Sequence, residues 1–458
     1  MTAVSAIILA AGKGTRMKSE TPKVLHNVCN KPMLWYILSV ARKVTADQKV
    51  VVGHGKNQVE QFLKENFNYK DVTTTVQEKQ LGTGHAVLCT KNNNFKKNTL
   101  ILLGDTPMIT EEELEAIINY HNKNNSVCTV LTVEEKDPTG YGRIIRAESN
   151  KIKKIVEEAD ANSQQKGISE INTGIMLFNT AELFTALDGL GTGNNQGEYY
   201  LTDVIENLYN QGKQVLGFQI ENAYRTMGIN DRVDLSHAER LMRKEINEFH
   251  MQQGVTIVDS DRTYIDPEVT IGQDSVIYPN TILRNNSQIS SFCTIGPETD
   301  ISNSIIKESC SIEKSKIIDS EIHSNVNIGP YAQIRPGSVL YRNVKVGNFV
   351  EIKNSTLREG SKANHLAYIG DADIGKKVNL GAGSIIVNYD GEKKHRTTIN
   401  DGAFIGCNSN LVAPVTIKEN AFVAAGSTIT DEVPKESLAI ARSRQTIKED
   451  WVKNNRTN

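Results

Sequence analysis

Aliphatic residues recur every six positions through most of the second half of the chain, and few folds accept that spacing. They stand at Ile271, Ile277, Leu283, Ile289, Ile295 and Ile301, slip by one, and hold again at Ile306, Ile312 and Ile318. The phase resumes at Ile322, Ile328, Ile334, Leu340, Val346 and Ile352, and then at Ile374, Leu380 and Ile386. The last run is Ile399, Ile405, Leu411, Ile417, Val423 and Ile429. A period of six matches neither the ~3.6 of a helix nor the ~2 of a simple strand. It matches a β-helix, in which each flat face sends one aliphatic side chain into a central stack and turns at a small residue. Gly272, Gly296, Gly329, Gly347, Gly375, Gly381 and Gly406 follow aliphatic positions and suit those turns. Chance spacing in a β-sandwich would not keep phase over so many repeats. A solenoid is therefore predicted from about Ile271 to Ile429.

The interruptions carry information. The slips near 301–306 and 318–322 read as tolerated bends. Between Ile352 and Ile374 the chain runs KNSTLREGSKANHLAYIGDAD, and between Ile386 and Ile399 it runs VNYDGEKKHRTT. The second stretch is polar, cannot enter the stack, and is predicted to protrude. Breaks in a regular solenoid are where function is added.

The first half reads differently. VSAIILA, QKVVVG, TLILLG, SVCTVLTV and NTGIMLF are short apolar runs, and KPMLWYILSVARKV, TGHAVLCTK and TEEELEAIINYHNK between them have helical character. This alternation predicts βαβ units around a mainly parallel sheet, with ligands beyond the carboxyl ends of the strands. In DRVDLSHAERLMRKEINEFH, Leu235, Ala238, Met242, Ile246 and Phe249 follow a three-to-four spacing, which predicts a linking amphipathic helix. The expected division is 1–229 for the α/β domain, 230–250 for the linker helix and 251–458 for the solenoid domain.

A length of 458 residues exceeds a single core and agrees with such a division. A formal net charge of −2 supplies no basic field for nucleic acid, so anionic ligands must be gripped by a few local Lys and Arg residues. Cys29, Cys89, Cys128, Cys293, Cys310 and Cys407 are scattered without metal spacing, as in a reducing compartment. No apolar run approaches the ~20 residues of a membrane span. AVSAIILAAG runs straight into KGTRMK and reads as a first strand rather than a leader. A cytoplasmic location is expected.

LAAGKGTRMKSETPK, from Leu9 to Lys23, breaks a strand into a glycine-rich loop. Gly12 and Gly14 let backbone N–H groups approach phosphate oxygens, while Arg16 and Lys23 supply positive charge. A tight turn with a solvated basic rim would look the same, since this is neither of the common phosphate-loop patterns. Asp105 in LILLGDTPMI ends an apolar strand, where a carboxylate can hold Mg2+ beside a nucleotide; it could also be a turn residue. QLGTGHA, GYGRI, EINTGI and TMGINDR add glycine- and asparagine-bearing segments at predicted strand ends. In the solenoid, His365 lies in a polar stretch with Lys353 before it and Tyr368 after it. A histidine is suited to take a proton from an amine near neutral pH, although a histidine in a polar loop, as this one reads, is often only a surface residue.

Taken jointly, these segments resemble the signature loop of the sugar-nucleotide pyrophosphorylases. With the solenoid behind them, the whole chain resembles the family of bacterial bifunctional N-acetylglucosamine-1-phosphate uridylyltransferases/glucosamine-1-phosphate acetyltransferases. The resemblance implies a Rossmann-like nucleotidyltransferase domain, a linking helix and a left-handed parallel β-helix of hexapeptide repeats. It implies that Leu9, Ala10, Ala11 and Gly12 cradle the nucleotide, Arg16 and Lys23 face the triphosphate, and Gln77, Gly82 and Thr83 meet the uracil. Gly142, Glu157 and Asn172 would contact the amino sugar, and Asp105 with Asn230 would hold Mg2+. Leu103 stands where some members carry Tyr.

For the solenoid the resemblance implies that His365 deprotonates glucosamine-1-phosphate as its amine attacks acetyl-CoA. Arg335, Lys353, Tyr368 and Asn379 would bind the sugar phosphate. Ala382, Asn388, Tyr389, Cys407, Ala425 and Arg442 would line the acetyl-CoA site. Cys407 replaces a Ser of many relatives; the sequence reading favours a small buried residue of the coil, with a thiol-sensitive site as the other option. A homotrimer completing each site from neighbouring subunits is also implied. The expected function is N-acetylation of glucosamine-1-phosphate, then transfer of UMP from UTP to N-acetylglucosamine-1-phosphate with loss of pyrophosphate. The alternatives are a single pyrophosphorylase with a scaffolding solenoid, and a solenoid adaptor whose first domain binds nucleotide without turnover.

Overall fold

The computed structural model describes residues 3–67, 71–148 and 150–456, and the chain divides into two compact units, Met1–Met242 and Arg243–Asn458. In the first unit the apolar runs become strands β1 (Val4–Ala10), β2 (Gln48–Val52), β3 (Val72–Val76), β4 (Asn98–Leu103) and β5 (Cys128–Glu134). They are followed by β6 (Arg143–Arg146), β7 (Ile152–Val156), β8 (Glu170–Asn179) and β9 (Val215–Ile220). The sheet order is β9-β5-β8-β4-β1-β2-β3, with β6 paired to β8 and β7. β1, β2, β3 and β4 run parallel, as do β5 and β9, whereas β8 is antiparallel to β4 and β5.

Helices α1 (Met33–Val44), α2 (Lys56–Asn66), α3 (Thr83–Leu88) and α4 (Glu111–Lys123) connect these strands, and α4 starts in a capping box between Thr110 and Glu113. That box satisfies two backbone N–H groups reciprocally at the helix start. Burial on both faces explains why β1 is almost continuously apolar: only Leu9 is partly exposed, at the cleft end. The parallel strands β1 and β4 finish together, where Gly104 N–H donates to Leu9 O at 3.0 Å. Their carboxyl ends form the floor of a cleft.

Helix α5 (Thr180–Leu187) and helix α6 (Asp203–Asn210) complete the unit, and α7 (Arg232–Gln252) crosses the division between the two. The inward stripe of α7 departs from its predicted course. Ala238 and Met242 are buried, but Phe249 is 58% exposed and Asn247 is fully buried instead. The reason is polar: the Asn247 amide donates to Ser260 O at 2.9 Å and Thr263 O at 3.1 Å, so its buried nitrogen is satisfied.

The second unit is a parallel β-helix of three sheets, with eleven, ten and nine strands among the described residues. It begins earlier than predicted, at Thr256–Ile257. Each strand pairs with the equivalent strand one coil on, as Val276 does with Thr294, eighteen residues later. The slips shorten a coil without breaking it: Asp300 pairs with Lys316, and the regular length returns when Glu321 pairs with Val339. One consequence corrects the sequence reading, because Ile317 rather than Ile318 occupies the stack.

A second correction concerns the supposed gap after Ile352. Leu357, Ala363 and Ile369 continue the stack, fully or almost fully buried, so the coil is unbroken there. The pattern was obscured by two single-residue slips and by an alanine at an aliphatic position. The later stretch does protrude: Ile385 pairs with Asn410, seven residues beyond the regular coil length, and residues 389–394 are exposed. Many corners place a residue in the left-handed region, which Asn, Asp and Gly tolerate best.

Candidate functional site

The cleft in the first unit has two adjoining lobes of about 560 and 550 Å3 that share Leu9, Thr83, Leu103 and Asp105. The loop after β1 forms one wall. Gly14 takes φ +57°, and a Cβ there would lie 2.7 Å from the Lys23 side chain, so glycine lets the loop fold back onto Lys23. Gly12 differs: a Cβ would meet no protein atom within 4 Å. Packing does not require glycine at Gly12; the space beside it opens into the cleft.

Four predicted residues converge at the boundary of the lobes. Lys23 Nζ forms an ion pair with Asp105 and donates to Asn230 Oδ1 at 3.2 Å. Arg16 Nη2 donates to the same Oδ1 at 2.8 Å. The Asn230 amide nitrogen donates to Gly228 O at 3.3 Å, which turns the amide oxygen toward the cations. Asp105 arrives from the end of β4 and Asn230 from the segment before α7, more than a hundred residues apart in sequence.

The first lobe is lined by Leu9 and Ala10 at the end of β1, Ala11 and Gly12 from the loop after it, Gln77 and Gly82 from the segment between β3 and α3, and Thr83 at the start of α3. Gly82 has φ +108°, and a side chain there would strike the Tyr199 backbone at 2.6 Å. Thr83 Oγ1 accepts from Leu201 N–H at 3.1 Å, tying the wall together. The second lobe holds Gly142, Glu157 and Asn172. A bulge between Asn172 and Met176 in β8 redirects the strand, and Asn172 Oδ1 accepts from Gly174 N–H at 3.0 Å. Glu157 Oε1 accepts from Thr202 Oγ1 at 2.9 Å, yet burial raises its pKa, and Asp203 and Asp160 add to that rise. Leu103 stands on the wall common to both lobes, and a side chain on Gly174 would meet it at 2.5 Å.

In the second unit His365 is not in a loop, as the sequence reading placed it, but ends the strand Lys362–His365. It is exposed, and its Nδ1 lies 2.8 Å from Asn348 Oδ1 on the preceding coil. A carbonyl oxygen only accepts, so Nδ1 carries the proton and the lone pair is on Nε2. Gly347 permits this approach, since a Cβ there would fall 1.9 Å from Asn364 O.

The register then extends down one corner of the solenoid. Ala363 pairs with Leu380, Leu380 with Ile405, and Ile405 with Val423. Continued by two residues, the same register stacks His365, Ala382, Cys407 and Ala425 on successive coils. Each is followed by a residue with positive φ, namely Leu366, Gly383, Asn408 and Gly426. Below the histidine, therefore, runs an edge of small side chains. Cys407 is exposed on this edge rather than buried in the coil, which corrects the expectation. Arg442 lies at its end, with Cδ 3.7 Å from where a Cβ on Gly426 would sit.

The adjacent face carries Arg335, Lys353 and Tyr368. Arg335 Nη1 donates to Glu351 Oε1 at 2.6 Å, and Glu351 pairs in register with Tyr368. Asn379 pairs with Lys362 on the other side of the His365 corner. Asn388 and Tyr389 open the protruding hairpin. Asn388 is buried and donates to Asp371 Oδ2 at 2.5 Å, while Tyr389 is exposed and donates to Gly391 O at 2.5 Å.

The sequence reading missed the hairpin's own cation. Lys394 stands within hydrogen-bonding reach of Lys353, and that contact, together with the like charge, holds its ammonium below the usual lysine range. It also missed Asp371. Burial would raise that carboxyl, but hydrogen bonds from Asn354 and Asn388, with Lys353 and Lys394 nearby, bring it below the ordinary value. The paired lysines in GEKKHR were the available signal for the cation; nothing local marked the carboxylate.

A nucleotidyl transferase family matches residues 5–228, a GlmU-like C-terminal hexapeptide family residues 296–377, and the bacterial transferase hexapeptide family of six repeats residues 396–431. Full-length relatives are similar throughout. The bifunctional protein GlmU of Halalkalibacterium halodurans is 48% identical over 98% of this chain and 99% of its own length. Its counterpart in Clostridioides difficile is 50% identical over 98% and 97%. That of Bacillus velezensis is 51% identical over 98% of both chains.

Proposed function

The chain belongs to the bifunctional GlmU family, and from that premise we propose how its residues divide two reactions between two sites. It is a bifunctional transferase of UDP-N-acetylglucosamine synthesis, acting on glucosamine-1-phosphate with acetyl-CoA and on N-acetylglucosamine-1-phosphate with UTP.

The observation that carries the uridylyltransferase reading is the convergence of Arg16, Lys23, Asp105 and Asn230 between two lobes. The first lobe takes UTP and the second the sugar phosphate. A sugar-phosphate oxygen attacks the α-phosphorus, a new P–O bond forms, and the bond to pyrophosphate breaks. The attacking oxygen is already ionised, so no general base is needed; alignment and charge neutralisation suffice. Arg16 and Lys23 neutralise the triphosphate, while Glu157 and Asn172 orient the sugar.

The donor set also fits Mg2+. Asp105 and Asn230 turn hard oxygens onto one cationic point occupied by the Lys23 ammonium, and Mg2+ is typically bound by one or two protein oxygens plus water and phosphate. Held by Asp105 and Asn230, the metal would act as a Lewis acid and offset phosphate charge. Every other role falls to the chain's own residues.

For acetyl transfer, Nε2 of His365 takes a proton from the substrate amine. The amine nitrogen forms a bond to the thioester carbon, and coenzyme A leaves with the sulfur. Arg335, Lys353 and Lys394 hold the sugar phosphate, with Tyr368 and Asn379 beside it. The edge formed by Ala382, Cys407 and Ala425 leaves room for the acyl carrier between Asn388–Tyr389 and Arg442. A homotrimer with a cytoplasmic location is the proposed setting. The exposed stack of Phe404 on Phe422, with ring centroids 4.5 Å apart, and the exposed Leu438 in the same register support packing of solenoid faces.

The decisive experiment supplies glucosamine-1-phosphate and acetyl-CoA and measures free coenzyme A. Release at a steady turnover is expected. No release above the hydrolysis rate of acetyl-CoA would overturn the two-site reading in favour of a solenoid that performs no acetyl transfer.

A further inference from the structure

Gln77 follows β3 at the rim of the nucleotide lobe and is 3% exposed. Its Nε2 lies 3.1 Å from Gly82 O and 3.0 Å from His85 Nδ1. A peptide carbonyl can only accept, so the atom facing Gly82 must be the amide nitrogen and the side chain cannot be flipped. That nitrogen carries two hydrogens. One goes to Gly82 O, and the other goes to His85 Nδ1, which is therefore the unprotonated ring nitrogen. Both donors of Gln77 are consumed within the protein, and Oε1 has no partner among the described residues. Toward a ligand, Gln77 offers an acceptor and no donor.

His85 is well placed to enforce this. It sits within α3, so its backbone is fixed by the helix, and its ring lies 6.3 Å from that of Tyr199 on the far side of the wall. Without an acceptor at that point, one amide hydrogen of Gln77 would be unmatched in a buried setting. The amide would then gain by turning that hydrogen toward any acceptor in the cleft.

We propose that His85 is a positioning residue that sets base selectivity in uridylyl transfer. By accepting from Gln77 Nε2 it holds Oε1 as the acceptor for the N3–H of uracil. Cytosine presents a lone pair at N3, so two acceptors face each other, and a site built to receive a hydrogen bond rejects such an analogue strongly. This rests on the proposed role of Gln77 at the base, and the test separates the two.

The full-length enzyme is assayed for pyrophosphate release with UTP and with CTP, as wild type and as Gln77→Leu, His85→Leu, His85→Asn and His85→Gln. Asparagine places an oxygen near the position of imidazole Nδ1; glutamine places it near Nε2. His85→Leu is expected to raise KM for UTP about 10-fold and to lower the UTP:CTP ratio of kcat/KM by about 10-fold or more. KM for N-acetylglucosamine-1-phosphate stays unchanged. His85→Asn recovers most of the ratio and His85→Gln does not. The proposal is overturned if His85→Leu keeps the wild-type ratio while Gln77→Leu lowers it. It is also overturned if all three His85 variants lose kcat alike with no change in ratio, as a purely structural role requires. If Gln77→Leu itself leaves the ratio intact, the base-reading role of Gln77 falls, and His85 falls with it. Should the leucine variant not fold, the contrast between asparagine and glutamine decides.

Discussion

Asn348 Oδ1 lies 2.8 Å from Nδ1 of His365, seventeen residues away and one coil earlier. The contact orients the ring and fixes the tautomer, so the basic lone pair sits on Nε2. Asn348→Ala should lower kcat for acetyl transfer by roughly 10-fold and broaden its pH profile, because both tautomers become accessible. Coenzyme A release measured across pH checks this. An unchanged kcat and profile would remove Asn348 from the account.

Ile317 and Ile318 are neighbours with opposite fates: the first fills the stack, the second is partly exposed. Ile317→Ala should cost ~2–5 kcal/mol of stability, as large-to-small changes in packed cores do, and Ile318→Ala less than ~1 kcal/mol. Urea denaturation of the two variants compares them directly. Equal losses would contradict the observed register.

Asp371 ties the hairpin to the coil through Asn354 and Asn388, at 2.6 and 2.5 Å. Its folded pKa lies below the ordinary carboxylate value. The stabilisation is therefore complete above the unfolded-state pKa of ~3.9 and is lost as pH falls through the folded value. Wild type should be more stable than Asp371→Asn at neutral pH, and the gap should close below about pH 4. Denaturation midpoints of both proteins over that range give the answer. A gap that persists in acid would mean the hydrogen bonds do not depend on the carboxylate charge.

Lys394, bridged to Tyr389 within the hairpin, stands beside Lys353 of the coil. Lys394→Ala should raise KM for glucosamine-1-phosphate roughly 10-fold with little change in KM for acetyl-CoA, since a phosphate loses one of its cations. Initial-rate kinetics with each substrate varied in turn would show it. Equal effects on both KM values would point to a collapsed hairpin instead.

What was legible in the sequence was largely local or periodic. The Leu9–Lys23 loop announced itself by glycines and charges in one segment, and the stack by its six-residue phase. The unbroken coil through Leu357, Ala363 and Ile369 was hidden because a one-residue slip leaves the pattern intact in space while erasing it in the count. Asn348 and Asp371 were invisible for another reason. Their importance comes from partners a coil or more away, and nothing in the sequence around each of them shows it. The exposure of Cys407 follows likewise from the register of a corner, which a hexad pattern alone does not assign.

On the proposed function, two independent sites share one chain, one built on Lys23, Asp105 and Asn230 and the other on His365. The most direct test measures both activities in Asp105→Ala and His365→Ala. The first should lose uridylyl transfer by about 10³-fold or more and keep acetyl transfer within ~2-fold, as expected when a charge-stabilising group is removed from one site alone. The second should lose acetyl transfer by ~10²–10⁴-fold and keep uridylyl transfer. Loss of both activities in either folded variant would contradict the two-site account.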